Sequence, residues 1–194
     1  MKTLEKKYLF LVVLGGRADK ANVELHDVRW VVGSKIEDTF NDLRKNWFGS
    51  IDGLHIDSYK KIEYVDGHRI YLKNFEKNKI KNKQSINQKN PQKNLWFVNI
   101  GGYDPSSMQE KHEFGLVVAF SSLEAKNIAK SKWLSGFRKK HNDNIASLNL
   151  LISCDDCQII KNIGSWKIEL TLENNLFEET NYPDWYGYKR IDKI

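Results

Sequence analysis

The run with the clearest chemical potential is Glu24–Arg29, which reads ELHDVR. An imidazole beside a carboxylate can act as a general base with its orienting acid, and the same side chains are common metal ligands. On an extended strand, however, His26 shares a face with alternate apolar residues, whereas Asp27 and Arg29 point to the other face. A histidine on an apolar face is usually a hydrogen-bonded core residue, so we predict a structural His26 paired with Glu24.

Three further residues extend this candidate site. A metal or catalytic site around His26 would need another converging group, and His55 and Asp57 are the nearest candidates. Arg17 follows two glycines whose exposed N–H groups could cradle an anion, although a tight turn with positive φ explains the glycines as well and is favoured. The candidate ligand-binding residues are therefore Arg17, His26, Asp27, Arg29, His55 and Asp57.

The familiar catalytic and cofactor motifs are missing from the sequence. It contains no Gly-rich phosphate loop ending in Lys-Ser/Thr, no G-x-G-x-x-G, no G-x-S-x-G and no H-E-x-x-H. Its two cysteines, Cys154 and Cys157, form a single C-x-x-C near a predicted strand end, without the second pair that structural zinc requires. We therefore predict no cofactor and no metal, structural thiols, and a cytoplasmic protein.

An internal repeat organises the chain. Leu11–Val32 aligns with Phe97–Val118 at an offset of 86 residues, which superimposes both Gly-Gly pairs and both Glu-x-His pairs, the second being Glu110 and His112. Several polar residues decorate the first copy alone, and we expect any functional site to lie there. Their replacements in the second copy include Ser153, which stands where the first copy has His55.

Each copy predicts the order strand, strand, helix, strand, strand. The apolar run before Gly-Gly reads as a buried strand closed by a turn, and alternation indicates a second strand to Gly33. Ser34 and Glu37 have the spacing of a capping box that opens a helix, and Ser121 and Glu124 repeat it. The sequence therefore predicts an α+β fold with a mainly antiparallel sheet, its two copies packed as one pseudo-twofold body.

The net charge of +6 comes from one segment. Residues 73–94 are rich in Lys, Asn and Gln and read as a basic linker between repeat 1 (1–72) and repeat 2 (95–172). Residues 173–194 form an aromatic tail, either a strap on the body or an exposed surface. The linker contains no Arg and one aromatic residue, which disfavours nucleic-acid binding, and no apolar stretch reaches membrane-spanning length.

The motifs of the first copy resemble the bacterial domain-of-unknown-function family 1543. The matching strings are LGGR at Leu14–Arg17, NVELHDVRWVVG at Asn22–Gly33, WFG at Trp47–Gly49 and HIDS at His55–Ser58. The second copy matches only in outline. Membership would imply one or two copies per chain and a bacterial source, but it assigns no activity and no catalytic residue.

Together these features favour a non-enzymatic binding module over an enzyme. Its partner would be a small anionic ligand or another protein, held by the first copy or by the aromatic tail. The alternative is a small hydrolase with His26 or His55 as the base and Asp27 or Asp57 as its orienting acid.

Overall fold

The computed structural model describes residues 5–75, 91–103, 108–133, 153–173 and 182–193. Most of the predicted basic linker and part of the aromatic tail lie outside these residues.

The first half of the chain, here called the first unit (8–74), contains five strands and one helical segment. These are β1 (Tyr8–Gly16), β2 (Leu25–Gly33), a 3-10 helix (Ile36–Thr39), α1 (Phe40–Asn46), β3 (His55–Ile62), β4 (Tyr64–Val65) and β5 (His68–Asn74).

The second unit (94–172) follows the same order of elements. It contains β6 (Asn94–Tyr103), β7 (Glu110–Ala119), α2 (Ser122–Trp133), β8 (Ser153–Ile160), β9 (Asn162–Ile163) and β10 (Trp166–Leu172), and β11 (Trp185–Arg190) comes after it. Among the described residues, each unit contains the predicted strands and helix and one further short strand, β4 or β9. The third strand of the second unit is β8, and both cysteines lie within it.

All strand pairs are antiparallel, and the structure is a sheet-rich α+β fold as predicted. The strand orders are β11-β3-β1-β2, β7-β6-β8 and β4-β5-β10-β9. The third sheet contains strands of both units, because β5 leaves the sheet of its own unit and pairs with β10. The last two strands of each unit therefore lie in a sheet separate from that of its first three strands.

Three apolar clusters stabilise this arrangement. One lies between α1 and the sheet of β1, and it includes the fully buried Leu14, Leu43 and Ile56. The smaller helix–sheet cluster of the second unit uses Ala125 and Ala129. The middle cluster joins the two units, and each fully buried leucine or isoleucine in these clusters contributes about 1.5–3 kcal/mol.

The helix starts differ between the units. Ser121 Oγ accepts a hydrogen bond from Glu124 N at 3.2 Å, which confirms the first half of the predicted capping box. The Glu124 carboxylate accepts its hydrogen bond from Phe120 N at 2.8 Å, one residue before the predicted Ser121 N–H. In the first unit the predicted box was wrong, because the carboxylate of Asp38 accepts the N–H of Ser34 at 2.9 Å. That contact holds the pKa of Asp38 below its ordinary value.

The described part of the C-terminal tail adds an edge strand to the first unit. β11 pairs with β3, and the following Ile191 is fully buried, with its N–H donating to Leu54 O at 3.0 Å. Tyr182, Tyr186 and Tyr188 remain largely exposed. Among the described residues, no helix combines the length and apolar character needed to cross a membrane.

Candidate functional site

Three neighbouring strands bring two of the predicted histidines into one row. Gly15 of β1 pairs with His26 of β2 on one side and with His55 of β3 on the other. Residues opposite one another in adjacent strands project to the same face of a sheet. The site therefore lies at the end of the sheet where β1 finishes and β2 and β3 begin.

His55 is the buried centre of the site, with a side chain only 1% exposed. Its Nδ1 lies 2.8 Å from Gly53 O, and since a carbonyl oxygen can only accept, Nδ1 carries the proton. Its Nε2 faces two carboxylates, with Asp57 Oδ1 at 3.1 Å and Glu24 Oε1 at 3.4 Å. The two carboxylates present hydrogen-bond acceptors at this point, which a donor N–H group or a cation complements.

Gly15 leaves the space into which the imidazole of His55 extends. A Cβ atom at Gly15 would fall 2.5 Å from His55 Nε2 and 2.9 Å from Asp57 Oδ2. Gly16, the next residue of β1, is covered by the Trp47 ring. A Cβ atom added at Gly16 would lie 2.8 Å from that ring. Neither glycine has a positive φ, so the favoured prediction of a tight turn was wrong, and the two glycines make room for neighbouring rings instead.

Asp57 reaches the site because β3 bulges there. Val13 pairs with Ser58 and Leu14 pairs with Ile56, which leaves Asp57 without a partner on β1. A bulge re-aims the side chain of the extra residue, and bulges are frequent beside functional sites. Asp57 Oδ2 is buried, and its contact among the described residues is with the ring of His26 at 3.3 Å.

His26 lies at the exposed rim of the site and not in the core as predicted. Its side chain is 55% exposed, and its Nε2 is 3.3 Å from Asp57 Oδ2. His26, Val28 and Trp30 share one face of β2. The apolar cluster between the two units covers this face at Val28 and Trp30, and His26 lies beyond the end of that cluster. The predicted pairing of Glu24 with His26 was also wrong, since the contact of Glu24 is with His55.

Asp27 and Arg29 lie on the opposite face of β2 from His26, as the alternation predicted. They form an ion pair at 2.5 Å, and Asp27 Oδ1 also accepts the N–H of Val28 at 2.8 Å. Asp27 Oδ2 makes the contact with Arg29, and Arg29 Nε is buried without a hydrogen-bond partner among the described residues. This pair therefore neutralises itself and is separate from the histidines.

Arg17 follows β1 with an exposed side chain. Its carbonyl oxygen accepts the N–H of Ser50 at 2.6 Å and so anchors the loop between α1 and β3. None of the contacts between described residues joins the Arg17 guanidinium to the histidines.

Two contributors to the site come from segments that the sequence did not connect with it. Tyr188 of β11 stacks on His55 with ring centroids 3.9 Å apart. Asp192 accepts the N–H of Gly53 at 3.0 Å. This hydrogen bond holds Gly53, whose carbonyl oxygen in turn contacts the His55 ring. The hydrogen bond from Arg190 holds the pKa of Asp192 well below its ordinary range, and the Gly53 N–H adds to this. Only the aromatic and charged composition of the tail could have indicated such contacts.

The structure thus gathers four side chains, here called the histidine–carboxylate cluster: Glu24, His26, His55 and Asp57. In the second unit, His112 lies 3.7 Å from Glu110, and Ser153 stands where the first unit has His55. Across the described ranges, no three or more His, Cys, Asp or Glu side chains are arranged to hold a metal ion.

A cleft of about 550 Å³ between the two units is the other candidate site. Its lining is mainly apolar and aromatic, including Leu11, Phe114 and Trp133. Its two lysines already have partners, since Lys132 pairs with Asp66 and Lys60 donates to Tyr182 O at 2.8 Å. The histidine–carboxylate cluster therefore offers the more specific chemistry.

Comparison with known proteins agrees with the resemblance seen in the sequence. Residues 21–72 and 107–170 match the model of DUF1543, a Domain of Unknown Function. The chain is also similar to the crystal structure of a protein Il1583 from Idiomarina loihiensis, with 30% identity and a TM-score of 0.67 over 96% of this chain and 98% of that chain. No curated protein matches it. With two segments matching the same model, the chain belongs to the DUF1543 family.

Proposed function

We propose that this protein is a non-enzymatic binding module whose ligand occupies the histidine–carboxylate cluster. The observation that carries the proposal is the environment of His55 Nε2. This buried atom faces the carboxylates of Asp57 and Glu24 at 3.1 and 3.4 Å, while Nδ1 is committed to Gly53 O. Such a cluster presents hydrogen-bond acceptors at its centre and is complemented by a positively charged group.

The charge of the site favours a cation over the small anion expected from the sequence. Glu24 and Asp57 bring two carboxylates to His55, whereas the nearest guanidinium on β2, that of Arg29, is already paired with Asp27. A half-buried carboxylate such as Asp57, whose partners among the described residues are two imidazole rings, attracts a positive ligand.

The hydrolase alternative has less support. Among the described contacts, His55 Nε2 faces two carboxylates and no hydroxyl or thiol that it could activate as a nucleophile. His26 with Asp57 is the remaining base–carboxylate pair, at 3.3 Å. An imidazole and a carboxylate without a positioned nucleophile or activated water bind more readily than they catalyse.

A thermal-shift screen with cationic ligands tests the binding proposal. The panel comprises divalent metal ions, ammonium compounds and guanidinium compounds, each added to the full chain at increasing concentration. A ligand at one hundred times its Kd stabilises the native state by about 2.7 kcal/mol, which raises Tm measurably. Asp57→Asn should abolish the shift, whereas Glu110→Gln, a matched change in the second unit, should preserve it. No shift with any cation, or a shift that survives Asp57→Asn, would overturn the proposal.

We further propose that the two units are related by a pseudo-twofold axis through the third sheet. In the pairing of β5 with β10, Tyr71 faces Glu169, and His68 faces Leu172. The residue numbers of corresponding positions in β5 and β10 differ by 98, the same difference as between Ile62 and Ile160. The counterpart of Tyr71 is therefore Glu169, and these two residues face each other. An antiparallel pair centred on equivalent residues is what a twofold axis produces.

The sequence-based expectations on segments and location complete this proposal. Residues 1–72 and 95–172 would be the repeats, 73–94 a basic linker and 173–194 a tail, in a bacterial cytoplasmic protein. Expression of residues 1–75 alone, without the tail, would test whether the first repeat needs residues 182–193 to fold.

A further inference from the structure

We infer that the cleft between the two units is a binding site for a small uncharged molecule with a planar aromatic ring. The cleft has a volume of about 550 Å³, within the range of roughly 300–1,000 Å³ that small-molecule sites have. Its lining on the sheet of β1 includes Leu11 and Val13. The inference is independent of the histidine–carboxylate cluster and rests on the pseudo-twofold axis proposed for the two units.

The cleft lies at the position that two aromatic rings fill on the other side of this axis. Trp30 of the first unit packs against Phe97 of the second, with ring centroids 5.0 Å apart. The repeat offset of 86 residues makes Leu116 the equivalent of Trp30. The same offset makes Leu11 the equivalent of Phe97. Both leucines line the cleft, so smaller side chains stand there in the place of an indole and a phenyl ring.

Two rings of the second unit form walls of the cleft. Trp133 lies over Gly115 of β7, where an added Cβ atom would fall 2.7 Å from the indole ring. Phe114, which stands where the first unit has Val28, is the second ring. Aromatic rings make offset or edge-to-face contacts with one another that are favourable beyond the burial of their area. A planar aromatic ring therefore suits these walls better than a branched aliphatic group.

Ser58 of β3 gives the cleft a neutral polar group. It pairs with Val13 of β1, and both residues line the cleft. Its hydroxyl can donate one hydrogen bond and accept others, which suits a ring that carries an N–H or hydroxyl group. Small-molecule sites generally combine an apolar lining with a few polar groups that fix the orientation of the ligand.

The charged side chains at the cleft favour an uncharged ligand. Lys132 is paired with Asp66, and Lys60 donates to Tyr182 O at 2.8 Å. The remaining charged residue of the lining, Glu113, is exposed to solvent. An ionic group placed among the apolar side chains would lose its hydration without gaining a free partner of opposite charge, which is costly.

Isothermal titration calorimetry of the full chain with indole and with phenol tests the inference. We expect saturable binding of one molecule per chain and a negative heat-capacity change, which marks the burial of apolar surface. Cyclohexanol, a saturated ring with the same hydroxyl as phenol, should bind about two- to tenfold more weakly, the factor that ring contacts add. Equal binding of phenol and cyclohexanol would overturn the aromatic class. Absence of saturable binding by both aromatic probes would overturn the site.

Leu116→Trp introduces into the cleft the residue that fills the equivalent position of the first unit, and it should abolish indole binding. Leu123→Trp, the same change at an exposed leucine of α2, is the matched control and should bind indole as the unmodified chain does. Urea denaturation shows whether each variant is folded. If Leu116→Trp does not fold, Leu11→Phe decides, since it also reduces the cleft and should weaken binding. Undiminished binding to either folded cleft variant would place the ligand elsewhere and overturn the inference.

The double variant of Leu11→Phe and Leu116→Trp separates the cleft from the axis. It recreates the contact of Phe97 with Trp30, so the two changes together should cost less stability than the sum of the single changes. If the costs are additive while the unmodified chain binds indole, the axis is wrong and the binding site stands. The cation screen uses other ligands, so the cluster and the cleft can also fail separately.

Discussion

The two units share one backbone frame but differ in what it holds. Leu9 pairs with Val32 and Ile62 in the first unit, and Leu95 pairs with Val118 and Ile160 at the same positions of the second. The bulge that presents Asp57 also recurs, as an irregularity between Asn99 and Gly101 on β6. The frame, including its bulge, therefore forms without the histidine–carboxylate cluster, which depends on individual side chains such as His55.

The tryptophan that ends each helix shows a second difference. Trp133 packs against Gly115 of β7, where an added Cβ would fall 2.7 Å from its ring. The first unit has Arg29 at that position of β2, and Trp47 packs against Gly16 of β1 instead. A ring and an arginine side chain cannot occupy the same space, so the Asp27–Arg29 pair and the position of Trp47 are linked.

The largest effect that would sharpen this comparison is the loss of Trp47. It is 7% exposed, belongs to the core of the first unit, and donates its Nε1–H to Ser50 O at 2.9 Å. Trp47→Ala should lower the free energy of unfolding by about 3–5 kcal/mol, because it removes a large buried ring and a hydrogen bond. Trp133→Ala, at a more exposed position, should cost less. Urea denaturation measures both, and equal losses would contradict the asymmetry.

A slightly smaller effect is expected at β11, a strand of the first sheet that has no equivalent among the described residues of the second unit. Ile191 follows β11 and is fully buried in the core of the first unit, and its carbonyl accepts a hydrogen bond from Arg44 at 3.0 Å. Ile191→Ala should cost about 2–5 kcal/mol in urea denaturation. Tyr186→Ala on the exposed face of β11 is the control and should change stability by about 0.5 kcal/mol or less. A loss below 1 kcal/mol for Ile191→Ala would show that the tail does not stabilise the unit.

Much of the fold follows from local pattern. The spacing of Phe40, Leu43 and Trp47 predicts the buried helical stripe correctly, and alternation along β2 separates His26 from Asp27 and Arg29 as observed. These features depend only on the periods of helix and strand, which a single sequence displays.

The failures involve contacts between distant segments. Nothing local shows that β3 bulges at Asp57, that Glu24 contacts His55, or that Tyr188 stacks on its ring. Each depends on strand register or on the path of the tail, which tertiary packing decides. The pairing of β5 with β10 of the other unit likewise depends on tertiary packing. The residue types of the site were therefore predictable, and their partners were not.

A third test compares equivalent glycines. An added Cβ at Gly16 would fall 2.8 Å from the Trp47 ring, whereas one at the corresponding Gly102 would meet nothing within 4 Å. Gly16→Ala should cost about 1–3 kcal/mol through overpacking. Gly102→Ala should be neutral or stabilise by about 0.4–1 kcal/mol, because it restricts the unfolded chain. Chemical denaturation measures the free energy of unfolding of both variants. Similar losses of stability would mean that the two units pack alike at this position.

The smallest expected effect is a pH dependence confined to the first unit. Arg190 and the N–H of Gly53 stabilise the charged form of Asp192, which lowers its pKa in the folded protein. A lowered folded-state pKa stabilises the protein above the unfolded value of about 3.9, and this contribution is lost as the pH falls below it. Asp192→Asn should therefore lower Tm at neutral pH and reduce the decline of Tm below pH 4. Glu113→Gln, an exposed change on β7, is the control and should leave the profile unchanged. A profile for Asp192→Asn that is parallel to that of the unmodified protein would show that this carboxylate does not hold Gly53, and with it His55, in place.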